Sequence, residues 1–180
     1  LMLLQLGDLA LRQLHMPEDV QRVLDELQEA TRETASFSLW RGGATRTLIA
    51  VSNSLLSLRE FTVVGESHDL WLGAAGKAIA AFMPEAAQEE LIRIAVERGA
   101  HADQLRADLE RVRQSGVAVT EGERVPGVMA VSTPVIRGSV LLGSLTVSGP
   151  SFRVAPNAAN HAERVRRSAA ELSRILDQHS

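Results

Sequence analysis

An α+β single domain, antiparallel strands mixed with helices, is the fold class predicted by this 180-residue sequence. Three observations lead there. The elements read helix, helix, strand, strand, then three helices, then strand, strand, helix, an order that offers hairpins rather than regular strand–helix–strand alternation. No internal repeat, low-complexity tract or linker divides the chain, so its length suits one folded unit. An apolar fraction of 45% beside 23% charged residues is that of a globular protein able to bury a core.

The elements follow from spacing and punctuation. Leu3, Leu6, Leu9, Ala10 and Leu14 recur at helical period, and Leu1-Met2-Leu3-Leu4 reads as the tail of a helix. That apolar start is too short for a bilayer and lacks a basic leader, so no signal peptide is expected and the cytoplasm is the default. Pro17 opens a second helix, with Glu18 and Asp19 at its positive end and Val20, Val23, Leu24, Leu27 and Ala30 as its buried stripe. Alternation over residues 35–41, the turn Gly42-Gly43 and residues 45–52 read as a hairpin. Residues 55–64 suggest a loop and then a short strand around Phe61–Val64. Helices are expected over 74–82, 84–97 and 102–114, the last ended by Gly116 at its C-terminal position. Thr120-Glu121-Gly122-Glu123-Arg124 reads as a charged loop. Strands over 127–136 and 140–148 then form a second hairpin, bulged or at an edge where Pro134 cannot donate to the ladder. A helix over 161–178 closes the chain, burying Ala162, Val165, Ala169, Leu172 and Leu176.

Composition narrows the function classes. With 3% aromatic residues there is little to build a base-stacking surface from, and a net charge of −3 gives no general attraction for nucleic acid or acidic membranes. The chain has no cysteine, which removes disulfides, thiolate metal sites and cysteine nucleophiles. Its 5 histidines are scattered, with no pair at metal-ligand spacing, so neither a metal nor a cofactor is expected.

Four segments are candidates for chemistry. Leu70-Trp71-Leu72-Gly73-Ala74-Ala75-Gly76-Lys77-Ala78 contains a glycine–lysine pair before a helix. It fails as a nucleotide loop, because Trp71 stands at the required first glycine and Ala78 at the magnesium-binding hydroxyl. Small residues at a helix start do let a ligand approach unpaired backbone N–H groups, which suits a carboxylate, but they equally allow close packing on a sheet. In residues 141–148 the period of two puts Leu142, Ser144, Thr146 and Ser148 on one face, and the partner strand offers Ala130, Ser132 and Pro134. Such a face is either the solvated side of a sheet, the safer reading for the segment alone, or a polar wall. Glu121 and Glu123 belong to a solvated loop, and Asp103 caps a helix beside His101. The arginines of the last helix, Arg164, Arg166, Arg167 and Arg174, mark a solvated face balanced by Glu163, Glu171 and Asp177.

An ordered set of fragments resembles the effector-binding domain of IclR-type transcriptional regulators. It runs Thr31-Arg32-Glu33-Thr34, Ala74-Ala75-Gly76-Lys77-Ala78, Val112-Arg113-Gln114-Ser115-Gly116 and Glu123-Arg124-Val125-Pro126-Gly127-Val128, then Pro134-Val135 and Val147-Ser148-Gly149-Pro150. The resemblance covers nearly the whole chain. It implies a GAF-like fold, an antiparallel sheet flanked by helices, with residues 1–15 as the end of a linker helix and 16–180 as the effector-binding domain. It further implies a homodimer or homotetramer, contact with operator DNA only through a winged helix-turn-helix domain absent from this chain, and no catalysis. A small organic acid would bind between the helix start and the last strand, at the Ala74 and Ala75 amides with Thr146 and Ser148. Thr120, Val128 and Ala130 would be further pocket positions. Trp71 and Gly73 stand where the family often has histidine and a hydroxyl residue, so an aromatic acid is suggested. The alternatives are a small pocket-containing hydrolase or isomerase, and a module that only dimerises.

Overall fold

The computed structural model describes residues 16–178, so the helix expected over residues 3–14 and the boundary at residue 15 lie outside the described residues. Helix α1 (Met16–Thr31) carries Glu18 and Asp19 in its first turn, where the helix dipole favours negative charge. Val20, Val23, Leu24 and Leu27 are buried as expected, each worth roughly 1.5–3 kcal/mol, and they fix which face meets the sheet. Ala30 is exposed instead. Thr31, one helical turn beyond Leu27, takes the inward place and donates its hydroxyl to the Leu27 carbonyl at 2.7 Å.

Strands β1 (Thr34–Leu39) and β2 (Thr45–Ser52) form the first hairpin around Gly42 and Gly43, both at positive φ. No strand forms at Phe61–Val64. Residues 53–66 instead fold over the end of the sheet, tied where the Thr34 hydroxyl donates to the Glu60 carbonyl at 3.1 Å. The short β3 (Ser67–Asp69) pairs with the start of β2. Helices α2 (Gly73–Ala80), α3 (Glu85–Glu97) and α4 (Ala102–Ser115) follow, and Gly116 ends α4 at φ 74° in the left-handed region. Asp103 lies inside the first turn of α4, whose cap position is His101, and makes no side-chain cap bond.

The second half holds β4 (Ala118–Glu121), β5 (Val128–Arg137), β6 (Val140–Pro150), a short α5 (Ser151–Val154) and α6 (Ala158–Gln178). The expected charged loop is shorter than residues 120–124, because Thr120 and Glu121 belong to β4 and pair with Ala130 and Met129. Six antiparallel strands make one sheet in the order β3-β2-β1-β6-β5-β4. Pro134 sits past the last residue that β4 pairs, at a local edge, and the register shifts beside it between Val135 and Ile136. That bulge exchanges the two leucines of the opposing strand. Leu142, expected on the face of Ser144, packs into the other core, and Leu141 turns to the cavity side.

Each face of the sheet has its own core. Ala35, Phe37, Val131, Leu145 and Val147 meet α1 and α6 on one face. On the other, α2 lies against β4, β5 and β6, with α3 and α4 behind it around Leu70, Ile79, Leu91 and Leu109. Ala162 is half-buried, and Val165, Ala169, Leu172 and Leu176 are buried, as the period of the last helix requires. Among the described residues no helix is long and apolar enough to cross a membrane.

Candidate functional site

The period of two builds a polar wall on the α2 side of the sheet. Ser36 pairs with Thr146, which pairs with Ser132, and Thr34 pairs with Ser148, which pairs with Ala130. Every one of these hydroxyl side chains is buried, so this face is not the solvated one. Ser132 and Thr146 satisfy each other at 2.8 Å, and Ser132 lies within bonding distance (3.0 Å) of the Leu145 carbonyl. Apolar neighbours on the opposite phase fix the strand rotation, and the hydroxyls follow from it.

Between this wall and the start of α2 lies a cavity with about 550 Å³ of atom-free space including its mouth. Its interior is small, about 40 Å³ counted as room for the centres of water molecules. At roughly 10–15 Å³ per water on that measure, it admits a ligand of a few heavy atoms. Gly73, Ala74, Ala75, Thr120, Val128, Ala130, Thr146 and Ser148 all line it. Trp71 does not: its indole is 6% exposed, packs in the α2–α4 core, and carries the Arg98 guanidinium 5.2 Å from its ring centre.

The glycine–lysine pair has a packing role. A Cβ on Gly76 would stand 2.4 Å from the Leu70 carbonyl oxygen, so α2 approaches that backbone as only glycine permits. Lys77 is buried and its Nζ donates to Glu123 Oε1 at 2.6 Å and Asp108 Oδ2 at 2.7 Å. Burial acts to raise the Asp108 carboxyl, but Lys77, Gln104 and Arg111 outweigh it and hold it below its ordinary value. Glu123 also accepts the Gly73 N–H at 3.0 Å, so this carboxylate covers the first orphan amide of α2. The next first-turn amides, those of Ala74 and Ala75, have no intrahelical acceptor and border the cavity.

Sequence reasoning missed the charged end. Arg46, Glu60, Thr62, His68 and Arg124 line the same cavity. Arg46 is 4% exposed, donates from Nη1 to Ser38 Oγ at 2.6 Å, and has no partner at Nε. Burial and then the neighbouring Arg124 lower its pKa to about 10, against the pull of Glu60. Burial, then Arg124 and Arg46, likewise push His68 below its ordinary value, so the ring is neutral at pH 7. Its Nε2 stands 3.2 Å from Arg124 Nη2. One signal was available: Arg46 occupies the same strand phase as Leu48, the phase that turns inward.

The sequence and the fold both resemble those of known proteins. The family model described as bacterial transcriptional regulator IclR, C-terminal, matches residues 9–174. A relative from Mycobacterium tuberculosis described as an HTH-type transcriptional regulator is 34% identical over 140 residues, 72% of this chain and 52% of its own. One from Halobacterium salinarum, named as the HTH-type regulator ArcR, is 31% identical over 148 residues, 73% of this chain and 53% of its own. The chain thus spans about half the length of the curated relatives it matches. Among solved structures, a C-terminal domain ascribed to a Vibrio cholerae transcriptional regulator has TM-score 0.77 and 33% identity, covering 85% of this chain and 93% of that one. Thermotoga maritima IclR has TM-score 0.85 at 24% identity over 98% of this chain and 72% of its own, a likeness of fold. With a family model matched over most of its length, this chain belongs to the IclR family of bacterial transcriptional regulators and carries that family's C-terminal domain.

Proposed function

We propose that this domain senses a small organic acid in the cavity between the sheet and the start of α2. The observation that carries the reading is the cavity itself: two orphan helix amides and a wall of buried hydroxyls surround a space that also holds a buried guanidinium with no ion-pair partner among the described residues. An anion there meets the positive end of α2, the Ala74 and Ala75 amides, the Thr146 and Ser148 hydroxyls, and the fields of Arg46 and Arg124. Thr120, Val128 and Ala130 shape the remaining wall, and Gly73 keeps the helix start open to the ligand. The small interior and polar lining favour a short aliphatic acid over the aromatic acid suggested by Trp71, which packs in the α2–α4 core and does not line the cavity.

In this reading DNA is contacted through a winged helix-turn-helix segment elsewhere in the regulator. A homodimer or homotetramer transmits the signal, because a ligand shifts DNA affinity only by binding two arrangements of the assembly unequally. The relatives matched are described as transcriptional regulators, which favours sensing over catalysis.

Thermal unfolding against a panel of short aliphatic and aromatic carboxylates tests this. An acid at 100 times its dissociation constant adds about 2.7 kcal/mol, or about 5–10 °C in midpoint for a domain of this size. The shift is expected for a short aliphatic acid and is expected to vanish in Ser148→Leu. A folded chain that no carboxylate stabilises overturns the reading.

A further inference from the structure

We infer that the charged end of the cavity is a hydroxyl-recognition subsite, built by Arg46, Glu60 and Thr62, so that the preferred ligand is a short hydroxy acid. This inference rests on the acid-sensing reading above and sharpens it. The observation is a set of orphan polar atoms. Arg46 Nε, Glu60 Oε2 and Thr62 Oγ1 are all shut off from solvent and have no hydrogen-bond partner, and they belong to three residues that line one cavity. Buried polar groups are rarely left so, because each unmade bond carries a desolvation cost.

The three atoms differ in what they require, and that selects a functional group. Arg46 Nε can only donate and Glu60 Oε2 can only accept. A ligand keto or second carboxylate oxygen would satisfy the arginine and leave the glutamate facing another acceptor. An ammonium would satisfy the glutamate but has no lone pair for Arg46 and repels its charge. A hydroxyl accepts from Arg46 Nε through a lone pair and donates its proton to Glu60 Oε2, and Thr62 Oγ1 can take either role. The rest of the cavity leaves the ligand's carboxylate to the α2 amides, since Glu123 is already committed to Gly73 and Lys77. Arg46 is held for this task. Its Nη1 is tied to Ser38 Oγ on β1, and the strand phase of Leu48 fixes it inward.

The experiment is calorimetric titration of the chain with matched four-carbon acids: butanoate, its 2-, 3- and 4-hydroxy forms, 4-aminobutanoate and 2-oxobutanoate. One of the hydroxy acids is expected to bind about tenfold or more tighter than butanoate, as befits a hydroxyl meeting two charged partners, while the amino and oxo acids gain nothing. The readout is the ratio of hydroxy to plain acid, which a general loss of positive charge does not move. Glu60→Gln and Arg46→Met are each expected to bring that ratio near one, and Thr62→Val keeps the test alive if the arginine variant does not fold. A ratio near one in the unaltered chain means that water alone fills the subsite, and this overturns the inference while butanoate binding still supports acid sensing. A tenfold ratio that survives in the variants also overturns it. No binding by any of these acids or by the wider carboxylate panel removes both readings.

Discussion

At the scale of single residues, the glycine–lysine pair shows how one motif resolves into two separate physical demands. Gly76 is required by the approach of α2 to the Leu70 carbonyl, where a Cβ would stand 2.4 Å from the oxygen and 2.8 Å from its carbon. Backbone atoms cannot yield as a flexible side chain would. Gly76→Ala gains about 1 kcal/mol of helix propensity, but overpacking against rigid backbone lies in the upper part of its usual range, about 2–3 kcal/mol, and displaces the helix start that borders the cavity. A net loss of about 1–2 kcal/mol is expected from denaturant midpoints, together with weakened ligand binding. An alanine variant as stable as the parent would contradict the packing role. Lys77 answers a different need. Its ammonium joins α2, α4 and the turn between β4 and β5 through Asp108 and Glu123, so it organises the cavity rim without facing a ligand.

At the scale of elements, residues 53–66 differ from everything around them. Leu55, Phe61 and Val64 are strongly exposed, yet Glu60 and Thr62 on the same segment border the cavity. Few bonds hold the segment down. Arg153 grips Glu33 through two bonds of 2.7 and 2.9 Å and donates from Nη2 to the Leu58 carbonyl at 2.8 Å. Arg153→Ala is therefore expected to speed limited proteolysis within residues 55–64 while the sheet stays protected in hydrogen exchange. Unchanged cleavage there would show that other contacts suffice. Elements of this kind are also where the sequence is hard to read. The hairpins, α1, α4 and the last helix follow from period and punctuation, because apolar side chains at regular spacing must share a face. The strand expected at Phe61–Val64 fails because its apolar residues have no core to enter. Strand β4 escaped notice because Glu121 and Glu123 make its end look like a loop, although Val117, Val119 and Thr120 are strand formers. The hydroxyl wall was visible as a pattern, but which way it faced depends on the register of β6 with the distant β1, from Leu39 opposite Gly143 to Thr34 opposite Ser148, and no local signal carries that. Glu60 meets the cavity only through the fold of the loop that carries it, whereas the strand phase of Arg46 already turned it inward.

At the scale of the whole molecule, the sheet separates two cores, and a histidine on each side is pushed in the same direction. On the α6 side, burial lowers His161, Glu33 opposes this, and Arg164 lowers it further. On the cavity side burial, Arg124 and Arg46 lower His68. For both, the folded value lies below the unfolded one near 6.5, so the unfolded chain binds more protons between the two values. Stability is therefore full above about pH 6.5 and is lost as pH falls toward the folded values, before carboxylates such as Asp108, held low by Lys77, begin to matter. Denaturant midpoints at pH 7 and pH 5 are expected to differ in that direction, and His161→Asn is expected to shrink the difference. A midpoint rising at pH 5 would reverse the sign. The alternation along β1, β5 and β6 has a consequence for descent as well. Side chains such as Ser36 and Thr146 can be exchanged without touching Ala35, Phe37, Leu145 or Val147, which hold the opposite face. A lineage built on this sheet can therefore reshape the cavity wall one substitution at a time while the scaffold beneath stays constant.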